Sequence, residues 1–278
     1  MGLENFTPEH WYGSIFTRLR AGLVHAPTVN REYEGMLSAG GDEIHISELE
    51  PIGVSSYTKN SDLTWSNTTS YSKTLKVDQQ KYYARNLDSI DRVQANVNLQ
   101  AGIADEAAYG MMKEVDTFIA GKYTESGNDL GAVTVSAGNV LVNLSNHMYE
   151  LNNANVPQGN RFFPILPWYH LDLIQAATGI VGHTGVPKTT SDGLLINGYV
   201  GNLFGFDLLM TTQVVESSSV MQSMAYHRSA IAFVGDLFEA DFNANRESRF
   251  GFGMKALYVY GAKVIRPNAM VTGQLTSG

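Results

Sequence analysis

Cysteine is absent from all 278 residues. A disulfide framework, a zinc–thiolate site and a thiol nucleophile are therefore excluded together. Charge is sparse, at 17% of residues, and acidic in balance: 19 Lys and Arg stand against 27 Asp and Glu, a formal net charge of −8. No cluster of Lys and Arg gives the footprint of tight nucleic-acid binding. Long apolar runs are lacking as well. The most apolar stretch, residues 194–210, is broken by Asn, Gly and Asp, and no segment reaches the roughly 18–20 apolar residues of a membrane span. Residues 1–23 have no basic run followed by an apolar one, so they do not read as a secretory signal.

What is present is core-forming material. Hydrophobic residues make up 44% of a chain long enough for one large domain or two closely joined ones, and 27 glycines imply many turns. The first element reads as an amphipathic helix: Thr7 can cap it, Pro8 suits its first position, and Trp11, Ile15 and Leu19 recur every fourth residue with Tyr12 and Phe16 beside them. Such a stripe needs a partner, on its own domain or on a neighbouring chain.

Residues 42–85 are the most informative. The alternation Glu43-Ile44-His45-Ile46-Ser47 predicts a strand. In residues 55–74, 13 of 20 are Ser, Thr or Asn, too polar for a core of their own. The stretch nevertheless lacks Gly and Pro and carries Tyr57, Trp65 and Tyr71. Leu63, Trp65, Tyr71, Leu75 and Val77 all fall on odd positions, which gives one apolar face to an extended ribbon turning at residues 60–62 or 66–68. An isolated ribbon is marginal in water, so this one needs a surface to lie on.

A helical row follows in Ile103, Ala107, Met111, Val115 and Ile119, predicting a helix over 96–122, about 40 Å long at 1.5 Å per residue. Beyond it the pattern predicts a strand at 132–135, a helix through Val140, Leu144 and Leu151, a strand at 162–166 and a helix opened by Pro167. A helical stretch within 217–233 and a strand at 255–264 complete the reading. The fold class is α+β, without the βαβ rhythm of a doubly wound enzyme and without internal repeats.

No catalytic constellation emerges. Residues 182–189 miss a phosphate-binding loop because Pro187 stands where Gly must free the backbone and donate an N–H. Gly251-Phe252-Gly253 lacks the third glycine of a dinucleotide site. The seven histidines are scattered, and Asp236, Glu239 and Asp241, at helical spacing, read as a solvated face. The expectation is no catalytic residue, no cofactor and no metal.

The order of parts then resembles a known family. Leu151-Asn152-Asn153-Ala154-Asn155-Val156-Pro157 is followed by Arg161-Phe162-Phe163-Pro164-Ile165-Leu166-Pro167, and residues 251–269 include Tyr258-Val259-Tyr260-Gly261 and Pro267. With the polar hairpin and the long helix, this resembles the tailed-bacteriophage major capsid fold, the Hong Kong phage type. The resemblance implies an N-terminal arm (1–41), an extended loop (42–86) reaching over a neighbouring subunit, a peripheral domain with its spine helix (87–136), an axial domain (137–245), and a return strand with tail of the peripheral domain (246–278). It implies a non-enzymatic shell protein that assembles with itself into hexamers and pentamers around double-stranded DNA contacted non-specifically. The shell would form in the host cytoplasm, without a membrane. A separate scaffolding protein, a portal and a decoration protein are the implied partners, and Trp11, Phe16, Tyr57, Trp65 and Tyr71 are the candidate intersubunit contacts. Some members of the family reinforce the shell with Lys–Asn isopeptide bonds. Lys59, Lys73 and Asn268 are of the right types, but the polar surroundings of the lysines read against it. An encapsulin-like compartment shares the fold and is the alternative.

Overall fold

The computed structural model describes residues 23–34, 43–49, 52–63, 65, 67, 70–88, 99–180, 199–245 and 251–278. The expected helix carrying Trp11 and Phe16, and the loop at 182–189, lie outside the described residues. A single turn, α1 (His25–Thr28), precedes β1 (Glu43–Leu49), β2 (Ser70–Lys76) and β3 (Gln79–Asp88), and the long helix α2 follows (Leu99–Ala120). After a 3-10 turn come β4 (Asn128–Val135), α3 (Val140–Asn153), β5 (Arg161–Ile165) and α4 (Pro167–Ile180). The remainder is β: β6 (Tyr199–Leu203), β7 (Phe206–Met210), β8 (Glu216–Ser217), β9 (Val220–His227), β10 (Ile231–Asn245), β11 (Gly251–Val264) and β12 (Met270–Ser277).

These strands form three sheets. β1 and β2 make a two-stranded antiparallel ribbon, β10-β11-β3 an antiparallel sheet, and β4-β12-β9-β5-β7-β6 a mixed sheet with β8 beside β9. The chain passes from the mixed sheet to the three-stranded one at Arg228–Ala230, and returns at Pro267–Ala269. The N–H groups of Ile265 and Arg266 both donate to the Ala230 carbonyl, which ties the two crossings together.

Residues along β10 sort by the two-residue period of a strand. Ile231 and Phe233 face α2 with Tyr258, Tyr260 and Val264, while Ala232 and Val234 face the ribbon with Ile265. Helix α2 presses Val115 and Ile119, both fully buried, into the first side. The ribbon presses Ile44, Ile46, Leu75 and Val77 into the second. A larger core lies between the mixed sheet and α3 and α4, centred on Leu144, Leu151, Phe163, Tyr169 and Phe206.

The segment before the ribbon is held at two places. Asp116 of α2, completely buried, accepts the N–H groups of Val24 (2.7 Å), His25 (3.2 Å) and Ala26 (2.9 Å). The carboxylate thus answers the unpaired donors that open any helix. Four residues on, Asn30 adds to the edge of β10 through Asn30 N to Ile231 O and Phe233 N to Asn30 O.

Three expectations need correcting. Residues 217–233 form strands, not a helix: Met221, Met224, Ala225 and Tyr226 make a short apolar run buried on both sides of its sheet, and such a run carries no strand alternation. Asp236, Glu239 and Asp241 consequently lie on β10, not on a helix face. The last strand, β12, joins the mixed sheet, parallel to β4 and antiparallel to β9. The long helix is described from Leu99 to Ala120, about 33 Å at 1.5 Å per residue, and passes into a 3-10 turn at Gly121, while Met111 in the middle of its row is only half-buried, not deep in the core.

Gly261 is where the ribbon crosses β11. A Cβ there would run into the carbonyl oxygen of Lys76, so only glycine lets the end of β2 lie on the sheet. Gly261→Ala is expected to lower stability by about 1–3 kcal/mol in urea unfolding, with the loss of protection concentrated in β1 and β2. An unchanged midpoint would show that the ribbon is not seated there.

Candidate assembly surfaces

The ribbon has two ends with different chemistry. Its base is a regular ladder, Ile44 opposite Leu75, Ile46 opposite Lys73 and Glu48 opposite Tyr71. Lys76 pairs with Glu43 at 2.9 Å and Arg266 with Glu48 at 3.5 Å, while the half-buried Lys73 donates to the Ile265 carbonyl. The last described rung is Leu49 opposite Ser70. Residues 52–63 are irregular, with a turn in which Ser61 N and Oγ both reach the Thr58 carbonyl and Asn60 takes φ 67°. Asparagine tolerates that left-handed conformation, as the reading of a turn at 60–62 requires.

The odd-position face therefore divides. Leu75 and Val77 belong to the subunit's own core. Leu63 and Trp65 lie past the ladder and face solvent, Trp65 at 90% exposure. Tyr57 is 68% and Tyr71 58% exposed, and Ile52 and Val54 are exposed as well. Each such side chain forgoes about 1.5–3 kcal/mol of burial. Isolated exposed apolar residues are ordinary, but several on one ribbon of a polar chain make it a candidate contact surface. Of the five candidate contacts, Tyr57, Trp65 and Tyr71 thus share one loop, and Trp11 and Phe16 lie outside the described residues.

A second surface is a groove of about 720 Å³ between α2 and β3, floored by Ala107, Gly110, Met111, Tyr82 and Tyr83. The Lys81–Glu114 pair crosses it at 3.1 Å. Sequence periodicity placed Met111 on the core face, yet among the described side chains of α2 the sheet covers fully those around Val115 and Ile119 and leaves Met111 half-buried. A third surface is the outer side of α3 and α4, where Val142, Tyr149, Leu171 and Ile174 are exposed.

What fixes α3 relative to these surfaces is local chemistry at residues 151–161. Helix α3 ends with Asn155 at φ 55°; Val156 N donates to Leu151 O and Asn155 N to Asn152 O. These are the two bonds of a Schellman cap, with Leu151 and Val156 as its apolar pair. Arg161, 1% exposed, then reaches back: Nε donates to Pro157 O at 2.8 Å, and Nη2 to Asn152 Oδ1 at 2.9 Å and to the Val156 carbonyl. The guanidinium satisfies the polar groups that the helix end leaves behind, and burial lowers its pKa.

Two Ser–His contacts invite a catalytic reading. His147 Nε2 lies 3.1 Å from Ser223 Oγ, but the Nδ1 side bonds Asn143 O, Ser223 donates to Gly273 O, and both residues are fully buried. Burial holds the His147 pKa down to about 4. His227 Nδ1 accepts from Ser229 N across the tight turn between β9 and β10, which makes it a cap. Among the described residues, no three His, Asp or Glu side chains gather as a metal site would require.

No protein-family model matches the chain, and no curated protein matches its sequence. Solved structures do. One from Mycobacterium phage Che8 superposes with a TM-score of 0.77 at 26% identity, covering 98% of each chain. The capsid of cyanophage P-SCSP1u gives 0.78 at 12% identity, over 100% of this chain and 95% of that one. The capsid of Myoviridae phage XM1 gives 0.67 at 15% identity, over 99% and 98%. The chain therefore has a phage capsid fold, of the α+β class. More particularly, it is the tailed-phage major capsid fold that residues 151–167 and 251–269 resemble.

Replacing Arg161 should be costly because three acceptors lose their donor at once. Arg161→Leu is expected to destabilise the subunit by about 3 kcal/mol or more in urea unfolding, and Arg161→Lys to recover little of it, since an ammonium offers its donors from a single nitrogen and cannot span acceptors that the planar guanidinium meets from Nε and Nη2. A loss below about 0.5 kcal/mol would place the clasp among exposed ion pairs in worth.

Proposed function

We propose that this chain is the major capsid protein of a tailed phage, a structural protein that assembles with itself into hexamers and pentamers of an icosahedral shell around double-stranded DNA. The observation that carries the reading is the apolar tip of the ribbon, uncovered by its own subunit, in a chain whose fold is that of phage capsids. In this reading residues 42–86 are the extended loop laid on a neighbouring copy through Tyr57, Trp65 and Tyr71. Residues 87–136 and 246–278 contribute the peripheral domain, 137–245 the axial domain and 1–41 the arm. Scaffold, portal and decoration proteins are separate chains, and a surface of net charge −8 holds packaged DNA without gripping it. The likeness to phage capsids favours this over an encapsulin-like compartment.

The test follows from the ladder. Leu49 and Ser70 are register partners, so a short Gly/Ser turn can replace residues 51–68 and leave the base intact. The full-length protein is expected to form shells or capsomers by electron microscopy. The shortened chain should keep its melting temperature within about 2 °C, equivalent to under 1 kcal/mol, and form no closed shells. Unfolding of the shortened chain, or normal shells from it, would overturn the assignment of the loop.

Covalent reinforcement between copies is not expected. Lys73 is less hydrated than its neighbours in sequence suggest, and it lines a cleft with Glu48 and Asn268. Its Nζ is nevertheless engaged by the Ile265 carbonyl, and Glu48 by Arg266. Amide formation needs a neutral amine. Shells boiled in detergent should run as single chains of 30.4 kDa; a ladder lost on Lys73→Ala would show the opposite.

A further inference from the structure

We infer that His25 is an acid-sensitive latch, releasing the segment at residues 23–30 from helix α2 when its imidazole takes up a proton. This concerns the single subunit and does not rest on shell assembly. His25 is 1% exposed, and neither ring nitrogen has a hydrogen-bond partner. The ring lines a small cavity with Ala120, Pro164, Val214, Val215, Gln222 and Met224, which has no room for a water molecule. An unpartnered buried imidazole adds nothing at neutral pH that an apolar ring of similar shape would not supply. The property it does add is titration.

The surroundings fix the direction. Asp116 on α2 is the charged group facing the ring, and its oxygens already hold the N–H groups of Val24, His25 and Ala26. Tyr226 on β9 meets the same segment through Thr28 Oγ1 at 2.6 Å, and burial raises its pKa. The cavity residues from α2, β5, β9 and the 214–215 segment are uncharged. Burial lowers the His25 pKa from 6.5 to about 4, the pull of Asp116 opposing it. A folded-state pKa below the unfolded one means that protons bind the released segment better. Docking is therefore at full strength above about pH 6.5 and weakens as pH falls toward about 4. A proton arriving in place puts a cation in a dry pocket, where it competes for the carboxylate that holds the three N–H groups.

Hydrogen exchange on the full-length chain, corrected for the intrinsic pH dependence of exchange, reads the latch directly. Protection of the amides of residues 24–26 is expected to fall roughly 40-fold between pH 6.5 and 4.5, while residues 256–264 of β11 stay protected. In His25→Phe, or His25→Gln if the former does not fold, the segment should lose that pH dependence and keep its neutral-pH protection. A flat wild-type profile would overturn the inference. So would a slope that survives removal of the imidazole, which would come from Asp116, or a parallel loss in residues 256–264, which would report global unfolding.

Discussion

The structure depends on one sheet being buried on both of its faces. In β10 and β11 the residues that face α2 and those that face the ribbon alternate, and both sets are apolar. A three-stranded sheet gains little stability alone; covered on both sides, it becomes the middle of a three-layer sandwich. That arrangement also sets the ribbon's direction. Its base must lie flat on the sheet to bury Leu75 and Val77, Gly261 permits the close approach, and the described residues of the tip, 52–63, 65 and 67, are left exposed outside the subunit's own core. The exposed tip is thus a consequence of how the core is built.

The rest of the subunit follows from fixing that sheet to its neighbour. The crossings at Arg228–Ala230 and Pro267–Ala269 are joined through the Ala230 carbonyl, which accepts from Ile265 and Arg266, so the three-stranded and mixed sheets are tied together where the chain passes between them. The Arg161 clasp sets the end of α3 against the start of β5 within the mixed-sheet core. For a subunit proposed to meet several copies of itself, rigidity of this kind lets separate contacts add, because none is spent on ordering the body.

Local chemistry was legible in the sequence, and depth was not. The phrase from Leu151 to Pro157 could be read because a helix end, an αL asparagine and a proline are decided within a few residues. The strand at Glu43–Leu49 was equally plain from its alternation. β9 and β12 were hidden for the opposite reason: both are buried by strands far away in sequence, and β12 takes β4 and β9 as partners only in the assembled sheet. The row on α2 correctly grouped Met111, Val115 and Ile119 on one side. Periodicity says which residues share a face but not how far the covering sheet extends, and so Met111 was placed too deep. Tyr57, Trp65 and Tyr71 stood out because large aromatics are out of place in a Ser/Thr/Asn stretch, while Arg161's three acceptors could not be foreseen from spacing.

That stretch has its own physical logic. A loop proposed to stay solvated until it docks could have been made of Lys, Glu and Gln, but each would lose up to roughly 1.5–2 kcal/mol of rotamer freedom on being ordered. Ser, Thr and Asn have few rotamers to lose and still satisfy water, while Tyr and Trp add large contact area on only two side-chain torsions. Lys59 and Asp62 are the only charges in residues 52–67, so like-charge repulsion between copies, expected from a net −8, is weak where the loop would land. Thirteen small polar residues in twenty, interrupted by aromatics, are thus a composition that keeps a lone subunit's loop hydrated and would make the proposed ordering on a partner cost little.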